Sequence, residues 1–378
     1  MIYFDNAATT FSKPETVYQA IEDTLRHKSG NPSRGSHKIA LDASRIVFGA
    51  RNKLADFFNA SSKEIAFTKN ATEAINLVTN GLLTAGDEVI ISSLEHNAVA
   101  RPLNLLEQQG KIKLKVIDSE QGEDNFLAEI ENSITAQTKL ISISHASNIT
   151  GNILPVKAVG EIAAANDVYF MIDSAQTAGV VPIDVKELQA DFLVFTGHKA
   201  LFGPQGTGGV YIKENTNISP LLQGGTGDNS KAKTNPEAAP DKYEAGTINT
   251  PGLAGLKAGI EFIEEIGLAE IRAKEEKLAE RLKTGLEKIS EIEILNSKIS
   301  EEYVGVFSLR SEKIDPPKLG YLLDKEYDIA TRTGLHCAPL AHQSIGSYHT
   351  GTIRVSFSYF NTIKEVDSLI KALERLIK

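Results

Sequence analysis

The chain has 378 residues, enough for two domains or for one large domain with a smaller one attached. With 41% hydrophobic and 24% charged residues it reads as globular, and a formal net charge of -9 argues against a nucleic-acid-binding body. It has no apolar run of about 18 residues that could cross a membrane, "MIYFDNAATT" has no basic segment leading into an apolar core, and the single cysteine can form no internal disulfide, which suits the cytoplasm.

In chain order, "EIAFTKN" (64–70), "DEVIISS" (87–93), "KLKVID" (113–118), "TKLISISHAS" (138–147), "VYFMIDSAQ" (168–176), "FLVFTGHK" (192–199) and "GGVYIK" (208–213) read as strands. Several are apolar on both alternating faces, as strands buried in a helix-covered sheet must be. Helical patterns such as "ATEAINLVTNGLL" and "VKAVGEIAAAN" lie between them, so the expected fold is α/β with a mostly parallel sheet flanked by helices. The polar stretch 226–243 reads as a long surface loop. After Pro251 the texture changes: one long charged helix from about 252 to 289, then "VGVFSLR", "DIATRTG", "TIRVSFS", and a closing helix from Thr362. A boundary near 252 would give a large domain over 15–251 and a smaller α+β domain over 252–378 that also takes in residues 1–14.

Strand ends carry the chemistry. "FLVFTGHK" closes on His198 and Lys199; an ammonium there must be solvated, paired or used covalently, and a desolvated lysine suits Schiff-base formation. The alternative is a surface-loop lysine. "MIDSAQ" puts Asp173 at a strand's carboxyl end, where open α/β sheets bind ligands, with Gln176 close by; a helix cap is the competing role. A helix opening at Ala71 and Thr72 is a ready phosphate site or simply a capped start. His96 and Asn148 follow two further strands. Cys337, with Arg332 five positions before it and His336 directly before it, is by residue type alone either a buried filler or a nucleophile. The spacing of His336, His342 and His349 matches no standard metal-ligand pattern.

The ordered set "YFDNAATT", "NPSRGSHKIA", "NATEAINLV", "EHNA", "SNITG", "DSAQ", "TGHK", "GPQGTGGVY", "EAGTINT", "RTGLHCA" and "TIRVSFSYFNT" resembles the class V aminotransferase family, and within it the cysteine desulfurases and selenocysteine lyases with an RxGxHCA segment. The resemblance covers essentially the whole chain. It implies the fold type I of enzymes dependent on pyridoxal 5'-phosphate, with a large and a small domain, and a homodimer with its sites at the subunit interface. It implies that Lys199 carries the cofactor, Asp173 pairs with its ring nitrogen, Gln176 meets the ring oxygen and His96 stacks on the ring. Ala71, Thr72, Thr196 and His198 would bind phosphate, with Thr247 reaching in from the other subunit. Asn148, Arg332 and Arg354 would hold the substrate carboxylate, and Cys337 would be the nucleophile. The implied reaction is conversion of L-cysteine to L-alanine with sulfur passing to Cys337 and on to a protein acceptor. L-selenocysteine is the alternative substrate, and another lyase or a transaminase of this fold the alternative enzyme.

Overall fold

A computed structural model describes residues 1–32, 35–227 and 231–377. The elements are β1 (Ile2–Tyr3), α1 (Glu15–His27), α2 (Lys38–Phe58), β2 (Ile65–Thr68), α3 (Ala71–Leu82), β3 (Glu88–Ser92), α4 (Asn97–Gln108), β4 (Lys113–Ile117), α5 (Glu123–Ser133), β5 (Thr138–Ser144), α6 (Val156–Ala165), β6 (Tyr169–Asp173), β7 (Phe192–Thr196) and β8 (Gly208–Ile212). They continue as α7 (Thr250–Ile266), α8 (Leu268–Leu286), β9 (Ile292–Leu295), β10 (Val306–Ser311), α9 (Pro316–Tyr327), β11 (Ile329–Ala330), β12 (Arg332–Gly334), α10 (Pro339–Ser344), β13 (Thr352–Ser356) and α11 (Ile363–Ile377).

The seven expected strands form one sheet in the order β2-β8-β7-β6-β5-β3-β4. Only β8 runs against the others, antiparallel to both β2 and β7. The apolar runs divide by parity, because successive side chains leave a strand on opposite faces. Phe170, Ile172, Leu193 and Phe195 enter one core with α2 and α7. Met171, Phe192 and Val194 enter another with α3 and α4. Strand β4 closes the sheet with Lys113 and Lys115 exposed, charges that discourage a further strand from pairing there.

Gly208 explains the "GG" that opens β8. A Cβ on it would lie 2.7 Å from Asn70 Cα, so only glycine lets β8 pass the turn that leads into α3.

A second sheet, β12-β13-β10-β9, is antiparallel throughout, and β1 pairs in parallel with β11. Two features depart from the sequence expectations. The long helix expected over 252–289 is two helices broken at Gly267, whose φ of 88° no α-helix accommodates. Strand β9, only four residues long, and helix α9, started by Pro316, are further elements that the sequence expectations do not include. Helix α7 packs its Leu253, Leu256, Ile260 and Ile263 into the first large-sheet core, whereas α8 gives Leu278, Leu282 and Leu286 to the core of the smaller sheet. The core therefore changes within α8, after Ile271, which still packs in the first core, one helix after the sequence texture does. Residues 213–249 hold no helix or strand among those described, in keeping with the loop expected over 226–243, of which 228–230 lie outside the described residues. Ser33 and Arg34 of "NPSRGSHKIA" lie outside them too.

Candidate active site

Six of the seven large-sheet strands point the same way, so the segments following β2, β3, β5, β6 and β7 meet along one edge. A cavity of about 200 Å³ opens there, lined among others by Ala71, Thr72, His96, Asn148, Asp173, Gln176, Thr196, His198, Lys199, Arg332 and Arg354. Cys337 is exposed beside it rather than packed in a core, which removes the filler reading. Thr247 is not brought to the cavity of its own chain; it is exposed and lines a separate groove with Leu221 and Leu222.

Each wall has a local cause. Asn70 caps α3 by accepting from Glu73 N–H at 2.9 Å, so the cap sits one residue before the alanine and threonine expected to open the helix. His96 caps α4 through Nδ1, which accepts from Ala98 N–H at 3.0 Å and leaves the ring proton on Nε2. Burial, helped by the Lys199, Arg354 and Arg332 cations, pushes His96 down to about 3 and keeps it neutral. Asp173 Oδ1 accepts from Ala175 N–H at 2.9 Å, and burial raises its carboxyl. Burial also brings Lys199 down to about 8, against the opposite pull of Asp173.

Behind these groups lies Glu95, fully buried and held by Ser92 Oγ at 2.5 Å, Ser144 N at 2.8 Å and Ser144 Oγ at 2.7 Å; burial pushes it up to about 7. Sequence reasoning passed over it, although a carboxylate directly before a ligand-facing histidine was a usable signal.

The cysteine turn is strained. His336 and Cys337 are consecutive non-glycine residues in the left-handed region, with φ of 48° and 60°. Asn148 Nδ2 donates to His336 O at 2.9 Å, Asn97 N–H donates to Cys337 O at 2.7 Å, and Arg332 Nη2 stands 3.9 Å from Cys337 Sγ. These bonds hold the thiol out beside the cavity. Asn148 thus spends one amide N–H on this turn. Arg354 is 1% exposed, donates to Asp5 and to Asn148 O, and keeps Nε without a partner.

The residues fit pyridoxal phosphate. Thr196 Oγ1 and His198 Nδ1 are buried and unpartnered beside the start of α3, a donor set suited to a phosphate. The buried Asp173 carboxylate suits a protonated ring nitrogen, and Lys199 supplies an amine close to neutrality for the aldehyde. Among the described residues no group of three acidic, histidine or cysteine side chains could hold a metal ion, and no helix is long and apolar enough to cross a membrane.

The family model for aminotransferase class V matches residues 2–369. A probable cysteine desulfurase of Pyrococcus abyssi is 36% identical over 388 residues, covering 100% of this chain and 94% of that protein. One of Methanothermobacter thermautotrophicus is 34% identical, covering 99% of this chain and 94% of that protein. Among solved structures, the apo cysteine desulfurase of Thermococcus onnurineus superposes with a TM-score of 0.93 at 35% identity, covering 100% and 94% of the two chains. The Escherichia coli cysteine desulfurase CsdA in an S-sulfonic acid form superposes at 0.88 with 30% identity, covering 99% and 94%.

Proposed function

From the premise that the chain belongs to the class V aminotransferase family, we propose that it is a pyridoxal phosphate-dependent cysteine desulfurase, converting L-cysteine to L-alanine and retaining the sulfur as a persulfide on Cys337. The observation that carries this reading is the free thiol held out by a strained turn beside a cavity lined by the half-buried Lys199 and the buried Asp173.

When bound, the cofactor supplies a carbonyl that captures the substrate amine and a ring that absorbs the electron pair released at Cα. Asp173 holds a proton at the ring nitrogen, and His96, pinned by its cap and neutral, presents a flat ring face. Thr72, Thr196 and His198 hold the phosphate, and Gln176 serves the ring oxygen. Arg354, with Arg332 and Asn148 beside it, orients the substrate carboxylate. Lys199 Nζ removes the Cα proton. Cys337 Sγ then attacks the substrate sulfur: an S–S bond forms, the Cβ–S bond breaks, and the pair left on the carbon skeleton is protonated to the alanine methyl. Cysteine plus thiol becomes alanine plus persulfide with no outside oxidant. Thr247 completes a partner subunit's phosphate site in a cytoplasmic homodimer; its exposure away from its own cavity supports that reading. A protein acceptor takes the sulfur onward.

Cys337→Ala tests this. Alanine formation from cysteine should fall to background, and mass spectrometry should find no protein persulfide. Selenocysteine should be hit less hard, because its selenol is ionised at neutral pH and its C–Se bond is weaker. Undiminished turnover of cysteine in that variant would make the enzyme a simple lyase or transaminase.

A further inference from the structure

Arg354 already has a carboxylate. Its Nη2 lies 2.7 Å from Asp5 Oδ1, a residue 349 positions away in sequence, and its Nη1 donates to Asn148 O at 3.2 Å. The guanidinium is 1% exposed, held through both terminal nitrogens, with Nε buried and unpartnered. Asp5 is itself fixed by its backbone neighbours. Phe4 N–H donates to Ala330 O at 2.9 Å, Ser356 N–H to Phe4 O at 2.7 Å, and Ala7 N–H to Ser356 Oγ at 2.8 Å. The backbone is thus held on both sides of Asp5, which places its carboxylate beside Arg354.

We infer that Asp5 is a positioning residue which aims Arg354 at the substrate carboxylate and, by its fixed negative charge beside that carboxylate, weakens the hold on substrate and product alike. The inference rests on the reading that Arg354 binds the substrate carboxylate. Both cysteine and alanine carry that group, so a grip on it is uniform binding: tightening it lowers KM without speeding the chemistry, and it retains the product. An unopposed guanidinium in this buried setting would grip both. The shared charge of Asp5 limits that grip while its Oδ1 keeps the fork in one plane.

The experiment uses the cofactor-loaded enzyme, with alanine as the probe for product inhibition. Asp5→Asn keeps the acceptor and removes the charge; KM for cysteine and the inhibition constant of alanine should both fall, each by about tenfold, the size expected when one like charge is removed nearby. Asp5→Ala removes the acceptor as well, so alanine should bind less tightly than to the Asn variant and kcat should fall, with thermal midpoints checked for all proteins. Unchanged or raised constants in Asp5→Asn, together with raised constants in Arg354→Lys, would overturn the role of Asp5 while leaving the carboxylate site in place. Unchanged constants in Arg354→Lys would instead overturn the carboxylate site itself. Equal behaviour of the Asn and Ala variants would overturn the positioning role.

Discussion

Lys199 has a different acid–base character from the surface lysines. Burial lowers it to about 8, outweighing the Asp173 carboxylate, and Arg354 and Arg332 push the same way as burial. An amine attacks a carbonyl only when unprotonated. Cofactor uptake by protein stripped of pyridoxal phosphate should therefore accelerate as pH rises and level off above about 8, followed by absorbance of the bound cofactor. Lys199→Ala should show no such pH-dependent uptake, and alanine formation should drop by roughly a thousandfold or more, as expected on losing a general base. A rate of uptake independent of pH would show that another step limits it. The histidines of the site do not compete in this window: burial brings His96 and His336 down to about 3 and His198 to about 4.

Between elements, one buried ion pair ties the loop before α7 to the large sheet. Arg51 of α2 meets Glu244 at 2.6 and 2.7 Å, and Glu244 Oε1 also accepts from Phe67 N–H of β2 at 2.6 Å. The guanidinium lies 4.5 Å from the Phe67 ring centre as well. Taking one partner from a buried pair leaves an uncompensated charge, so Glu244→Gln should lower unfolding stability by about 3 kcal/mol, read as a lower urea midpoint. A midpoint equal to that of the native protein would mean that water reaches Arg51. Loss of this tie should also loosen the Thr247 segment, which follows Glu244 directly.

Across the whole molecule, the junction between the two cores carries an acid that folding keeps protonated. Glu275 of α8 is buried, its cationic neighbour is Arg272, and it accepts from Gly305 N–H; burial raises it to about 7 from an ordinary 4.5. An acid whose folded-state value is raised contributes its full stability below the unfolded value, and that contribution is lost as pH rises toward the folded value. Unfolding stability should thus decline between about pH 4.5 and about 7. Glu95, also raised to about 7, contributes to the same decline. Glu275→Gln should make the protein more stable at pH 8, by on the order of 1–3 kcal/mol, with the gain shrinking toward pH 4.5. Thermal midpoints across that range check it; a gain that persists undiminished at the acid end would assign it to packing instead.

Much of this protein was legible along the chain because the relevant physics is local. Short apolar runs marked all seven strands of the large sheet, and chain direction alone put Thr72, His96, Asn148, Asp173 and Lys199 at strand ends. A parallel sheet gathers such ends on one side, so those residues were bound to meet. What only the tertiary structure decided rests on contacts between distant segments. It includes the antiparallel place of β8 between β2 and β7, the close approach of Gly208 to Asn70, the change of core along α8, and the exposure of Cys337 on a left-handed turn that Asn97 and Asn148 bond. The Asp5–Arg354 pair spans almost the whole chain. No periodicity reports on such a pair, because each partner's local pattern is satisfied whether or not the other is near; the fold alone brings the two charges together.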